Sequence, residues 1–121
     1  MTEIERWVAA YTEAWRSPGT EGLAGLFAPD ATYLQGPYRD PVRGVERIAS
    51  MWDAERPAGE RFEMTHEVVA TEGHTSVVRV QVDYHAPREQ QWRDLWIVVL
   101  GADGLCRHFE EWPVAPPGGS P

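Results

Sequence analysis

The 121 residues are 42% hydrophobic and 25% charged, a balance that excludes disordered and fibrous chains and fits one compact domain with a core and room for a pocket. Nineteen acidic residues against eleven basic ones leave a formal net charge of −8. That charge argues against nucleic acid or an anionic membrane as partner, because both select clustered positive charge.

The first half reads helical. Ile4, Trp7, Val8, Tyr11 and Trp15 form the stripe of a helix with one apolar face. Thr2-x-x-Glu5 has the form of a capping box at its start, and Ser17-Pro18-Gly19 stops it. A short second helix is expected across Leu23, Leu26 and Phe27, broken at Pro29, followed by a brief strand from Ala31 to Gln35. Gly36 to Gly44 reads as a loop, and Val45, Ile48 and Trp52 place a third helix that ends before Pro57.

The period then changes to two. Phe62, Met64, His66, Val68 and Ala70 alternate, Glu72-Gly73 makes a turn, and Val78, Val80, Val82 and Tyr84 continue the alternation. Trp92 to Leu100 is a third long strand, too apolar throughout to have one wet face. Ala102-Asp103-Gly104 is a hairpin signal, and Leu105 to Val114 is the last strand. Residues 1–115 are expected to form a single domain, with residues 116–121 as a flexible Pro/Gly tail. Helices first and antiparallel strands afterwards mean an α+β fold with the helices on one face of the sheet. Cys106 is the only cysteine, so no internal disulfide is possible and a reducing compartment is expected. The N-terminus has no apolar signal-peptide region, and the longest apolar run, Leu95 to Leu100, is too short to span a bilayer. These features together give a cytoplasmic expectation.

Three stretches carry a family resemblance: Tyr11-x-x-Ala14-Trp15, Leu26-Phe27-Ala28-x-Asp30-Ala31-Thr32-Tyr33, and Pro41-x-Arg43-Gly44-x-x-x-Ile48. With the closing Asp103-Gly104-Leu105-x-x-His108-x-x-Glu111-Trp112, the chain resembles the nuclear transport factor two-like superfamily over residues 4–114, in its SnoaL-like (polyketide cyclase) and ketosteroid isomerase branches. The resemblance implies a cone-like curved sheet, largely antiparallel, wrapped around three helices as an α+β barrel. It also implies a pocket open at one end and frequent dimerisation. Function does not follow from it, because the superfamily hosts isomerases, cyclases, dehydratases, epoxide hydrolases and non-enzymatic binders.

Residue by residue, the resemblance puts Tyr11 at the position of the isomerases' oxyanion-donating tyrosine. Gln35 falls where their general-base aspartate lies, and an amide cannot accept a proton at neutral pH. The second oxyanion donor lands on Trp96 or, with a shifted gap, on Asp94. The His-x-acid pair on the last strand of the cyclases matches His108 and Glu110.

The residues themselves support the last match. His108 and Glu110 lie two apart on a strand and point the same way, either as an acid–base pair in a concave face or as an ion pair at a solvated strand end. His66 is expected to face the interior and line the pocket. Asp94, between Trp92 and Trp96, is either buried and perturbed or inert at an edge. Trp15, Tyr33, Trp52, Trp96 and Trp112 fall where the resembling fold lines its cavity. No tight metal-ligand or phosphate-loop motif is present, so neither metal nor cofactor is expected.

The resulting expectation is a cofactor-independent acid–base enzyme of the isomerase, cyclase, dehydratase or hydrolase type, acting on a hydrophobic or aromatic small molecule. Its catalytic set would be His108, Glu110, Tyr11 and Asp94, with Trp15, Tyr33, Gln35, Trp52, His66, Trp96 and Trp112 binding the ligand. The alternative is a non-catalytic ligand-binding or dimerisation module. In either case Leu95, Ile97 and Val99, opposite Trp96, predict a homodimer through the outer sheet face.

Overall fold

The computed structural model describes residues 1–118; residues 119–121 of the expected tail lie outside the described residues. Helix α1 spans Glu3–Arg16 and buries Ile4, Trp7, Val8 and Tyr11. The capping box is formed, with the Thr2 hydroxyl accepting from the Glu5 amide and the Glu5 carboxylate accepting from the Thr2 amide. Helix α2 spans Val45–Glu55 and buries Ile48 and Trp52. It starts at Gly44, whose φ of 91° is open to glycine and whose N–H donates to the Ala31 carbonyl at 2.8 Å, tying the helix to the first strand.

The described residues also form six strands, the first two of them before α2: β1 Phe27–Leu34, β2 Val42–Arg43, β3 Arg61–Glu72, β4 Thr75–Ala86, β5 Gln90–Leu100 and β6 Cys106–Val114. They form one mixed sheet in the order β2-β1-β6-β5-β4-β3, antiparallel except for the parallel β1–β6 pair. The sheet curves around the two helices, giving an α+β fold.

Among the described residues there are two α-helices, not three. The segment expected to be the second helix is a five-residue 3₁₀ turn, Glu21–Gly25, in which Gly22 and Gly25 weaken any longer helix. Phe27, assigned above to that helix, instead opens β1, which runs through Pro29. The register against β6 shifts between Phe27 and Thr32, and that irregularity accommodates a residue with no N–H to donate.

Tyr11 sits at the centre of the core. Its ring stacks on Phe109 at 5.2 Å, and Trp96 and Trp52 lie at 4.8 and 5.2 Å. The buried Trp7 indole N–H donates to the Leu26 carbonyl at 3.0 Å and anchors α1 against the start of β1. Arg56, just past α2, donates to the carbonyls of Ala14, Trp15, Ser17 and Gly19 and so caps the end of α1. No helix among the described residues is long and apolar enough to cross a membrane.

Candidate functional site

Strand parity determines which side chains enter the space between sheet and helices. On β5, Asp94, Trp96, Val98 and Leu100 are buried, whereas Leu95 is exposed and Ile97 and Val99 are half-buried. Residues directly paired across strands share a face. The register sets Trp96 against Glu111 and Val98 against Phe109, so these four line the concave side. Leu95 pairs with Trp112, Ile97 with Glu110 and Val99 with His108, and those side chains lie on the convex side.

The concave side encloses a cavity of about 530 Å³, within the range of roughly 300–1,000 Å³ typical of small-molecule sites. Eight aromatic residues line it, among them Trp15, Tyr33, Trp52, Tyr84, Trp92 and Trp96. At its floor the Tyr11 and Tyr33 hydroxyls hydrogen-bond at 2.7 Å. Both tyrosines are raised well above their ordinary pKa, first by burial and then by the nearby Glu111 charge, so they stay protonated and can donate.

Two carboxyls face this floor from adjacent strands. Asp94 is 8% exposed, and its Oδ1 has no hydrogen-bond partner. Burial raises it to about 6 and is the dominant effect. Glu111 is raised to about 8, first by burial and then by repulsion from Asp94 and Glu55, against a smaller pull from Arg39. The indole N–H groups of Trp52 and Trp96 are also buried without partners. A cavity with an unpaired acceptor, unpaired donors and two carboxyls of different acidity can bind a partly polar ligand and move protons. Nearer the mouth, Gln35 donates to both Glu55 oxygens at 2.9 and 3.0 Å, and Trp15 donates to Glu60 at 2.8 Å.

Of the expected site residues, Tyr11, Asp94, Trp15, Tyr33, Gln35, Trp52 and Trp96 line this cavity. Four do not. His108 and Glu110 lie on the convex face, because their antiparallel partners Val99 and Ile97 point there. They form a chain of their own: Thr32 Oγ1 meets His108 Nδ1 at 2.6 Å, His108 Nε2 meets Glu110 Oε1 at 3.0 Å, and the Trp112 indole donates to Glu110 Oε2 at 2.6 Å. Trp112 is therefore also outside the cavity and 44% exposed. His66 shares the face of its buried partner Val80, yet β3 is the edge strand and leaves it exposed outside the cavity lining. Cys106 is fully buried, and its thiol is pushed up to about 12 by burial, so it is no nucleophile at neutral pH.

Glu111 is the site residue that the sequence reading missed. The signal for it was the pairing of β5 with β6: once Leu95, Ile97 and Val99 face outward, Trp96 and its partner Glu111 must face inward. No three His, Cys, Asp or Glu side chains among the described residues come together as a metal-ligand set.

Comparison with solved structures finds the same architecture. An LEH-like epoxide hydrolase of M. tuberculosis is 15% identical with a TM-score of 0.74, over 93% of this chain and 83% of that one. A SnoaL-like family protein from Agrobacterium tumefaciens strain C58 is 20% identical with a TM-score of 0.73, over 95% and 100%. A nuclear transport factor two-like protein of unknown function from Burkholderia xenovorans LB400 is 16% identical with a TM-score of 0.72, over 98% and 88%. At these identities the likeness is one of fold. No curated protein matches the sequence. The SnoaL-like domain family model matches residues 8–112, nearly the whole sheet and both helices, and the chain belongs to that SnoaL-like family.

Proposed function

We propose that the protein is a cofactor-independent acid–base enzyme acting on a small hydrophobic molecule, with Asp94 and Glu111 as its working pair. The observation that carries this reading is the placement of the two carboxyls. They are diagonal neighbours on β5 and β6, facing one aromatic cavity, at a diagonal spacing of roughly 7 Å. At neutral pH Glu111, raised to about 8, holds its proton and serves as the acid; Asp94, raised to about 6, is ionised and serves as the base.

In such a step Glu111 gives its proton to a substrate oxygen, carbonyl or epoxide, as that oxygen gains charge. The Tyr11–Tyr33 hydroxyl pair donates to the same oxygen. Asp94 takes the balancing proton from a carbon acid or from an attacking water. Solvent then takes the proton from Asp94 and gives one to Glu111, which closes the cycle.

This assignment replaces His108 and Glu110 as the acid–base pair, since both lie on the opposite face. The convex face they occupy, with Leu95 39% and Trp112 44% exposed, supports a homodimer through that surface. A reducing, cytoplasmic setting suits the single buried thiol of Cys106.

The test is an initial-rate panel of epoxides and enolisable ketones with the wild type, Asp94→Asn and Glu111→Gln. Turnover of one class, lost by about 100-fold or more in both variants, is the expected result. Wild-type rates in either variant overturn that residue's role. Saturable binding without turnover across the panel favours a ligand-binding module instead, a reading that draws on Gln35, whose amide is committed to Glu55.

A further inference from the structure

The cavity carries more negative than positive charge. Besides Asp94, and Glu111 which holds its proton at neutral pH, Glu55 and Glu60 face it, against Arg39 and Arg88 in its lining. None of the four forms an ion pair among the described residues. Glu55 is held only by the Gln35 amide and Glu60 only by the Trp15 indole N–H. The cations nearby are committed elsewhere or solvated. Arg56 spends its guanidinium on four backbone carbonyls, and Arg39 and Arg88 are exposed.

Glu60 is the more informative of the two outer carboxylates, because it is half-buried among rings. Burial raises its carboxyl, with the Trp15 hydrogen bond and the Arg56 charge opposing. Tyr84, raised first by burial and next by Glu60, lies beside it and meets Phe62 at 5.5 Å. Trp92 lines the same cavity from β5. A carboxylate in a cavity lined by aromatic residues favours an organic cation, through ion pairing and through cation–π attraction of the kind the Arg56 guanidinium already makes over the Trp15 ring at 5.7 Å. The second observation that points to a ligand is deeper: Asp94 is 8% exposed, and its Oδ1 is an acceptor without a donor.

We propose that the ligand of this cavity is an organic amine, protonated or quaternary, whose ammonium group seats against Glu60 among Trp15, Tyr84 and Trp92 while the rest of the molecule reaches inward and presents a hydrogen-bond donor to Asp94. This rests on the cavity being the substrate site of the enzyme proposed above. It adds the class of substrate, a cation with a hydrophobic portion, where the aromatic wall alone would admit any flat apolar molecule.

The test is equilibrium binding, read by tryptophan fluorescence, of benzyltrimethylammonium and of neopentylbenzene, its uncharged isostere. The cation should bind about tenfold or more tightly than the isostere. Glu60→Gln keeps an oxygen for the Trp15 N–H and removes only the charge. It should abolish that preference while leaving the affinity for neopentylbenzene unchanged. Equal or tighter binding of the neutral compound, binding of neither, or unchanged cation affinity in Glu60→Gln overturns the proposal. Because no turnover is required, the two readings fail separately. Cation selectivity without any catalysis defeats only the enzyme. Turnover of neutral epoxides or ketones with no preference for cations defeats only this inference.

Discussion

Replacing Glu111 by Gln should stabilise the fold while removing activity, and the gain should depend on pH in a calculable way. The Glu111 carboxyl titrates at 4.5 when exposed in the unfolded chain and at about 8 in the cavity. Below pH 4.5 both states are protonated, and the acid is close to an isostere of the amide. Between 4.5 and about 8 the unfolded chain releases a proton that the folded chain retains, so wild-type stability falls as pH rises through that window. At ~1.4 kcal/mol per pH unit, the loss is roughly 3 kcal/mol by pH 7 and at most about 5 kcal/mol above pH 8. Glu111→Gln escapes it. Thermal melts of both proteins from pH 4.5 to 8.5 read the difference directly, and other titrating groups cancel in the subtraction. The melting temperatures should nearly coincide at pH 4.5 and separate by roughly 10 °C at pH 7, with the variant higher. A separation that stays constant with pH would refute both the burial of this carboxyl and its role as the acid. The gain would also show that the wild type sacrifices stability to hold an acid in its cavity, as active sites commonly do.

For any substrate that turns over, kcat/KM should follow a bell with limbs near 6 and 8, from Asp94 and Glu111, and Asp94→Asn should lose the acidic limb along with about 100-fold or more in rate. His108→Ala should keep near wild-type turnover, because the imidazole lies on the face opposite the cavity; loss of activity in a variant that stays folded, with its oligomeric state unchanged, would refute that placement. Arg56→Met should cost about 2–3 kcal/mol in urea titrations, since it frees four carbonyls at the end of α1. Ile97→Glu should convert the proposed dimer to a monomer of 13.7 kDa by light scattering, and an unchanged mass would remove the outer face as the interface.

Most local structure was legible because it depends on neighbours in sequence. The Thr2 capping box, the Ile4 to Trp15 stripe and the stop at Ser17 needed only side-chain spacing and cap chemistry. The Ala102–Gly104 turn and the alternation of β3 and β4 were legible for the same reason. The 3₁₀ turn was misjudged because Leu23, Leu26 and Phe27 have helical spacing, while β1 has its own claim on Phe27 through pairing with Cys106, 79 positions along the chain.

The sequence by itself determined most of the elements, though not the 3₁₀ turn at Glu21–Gly25 or the short strand Val42–Arg43, together with the parity within each long strand and the family-wide arrangement of sheet and helices. It placed His108, Glu110 and Trp112 on one face of β6, and Phe109, Glu111 and Pro113 on the other. Only the tertiary structure decided which of these faces is the inside. Both carry aromatic and acidic residues, so hydrophobicity does not choose between them. The choice comes from the antiparallel register with β5, which couples Glu111 to buried Trp96 and Glu110 to Ile97. Because side chains alternate with a period of two, a one-residue difference in position exchanges the two faces completely. That step separates an ion pair on the outer surface from the acid in the cavity.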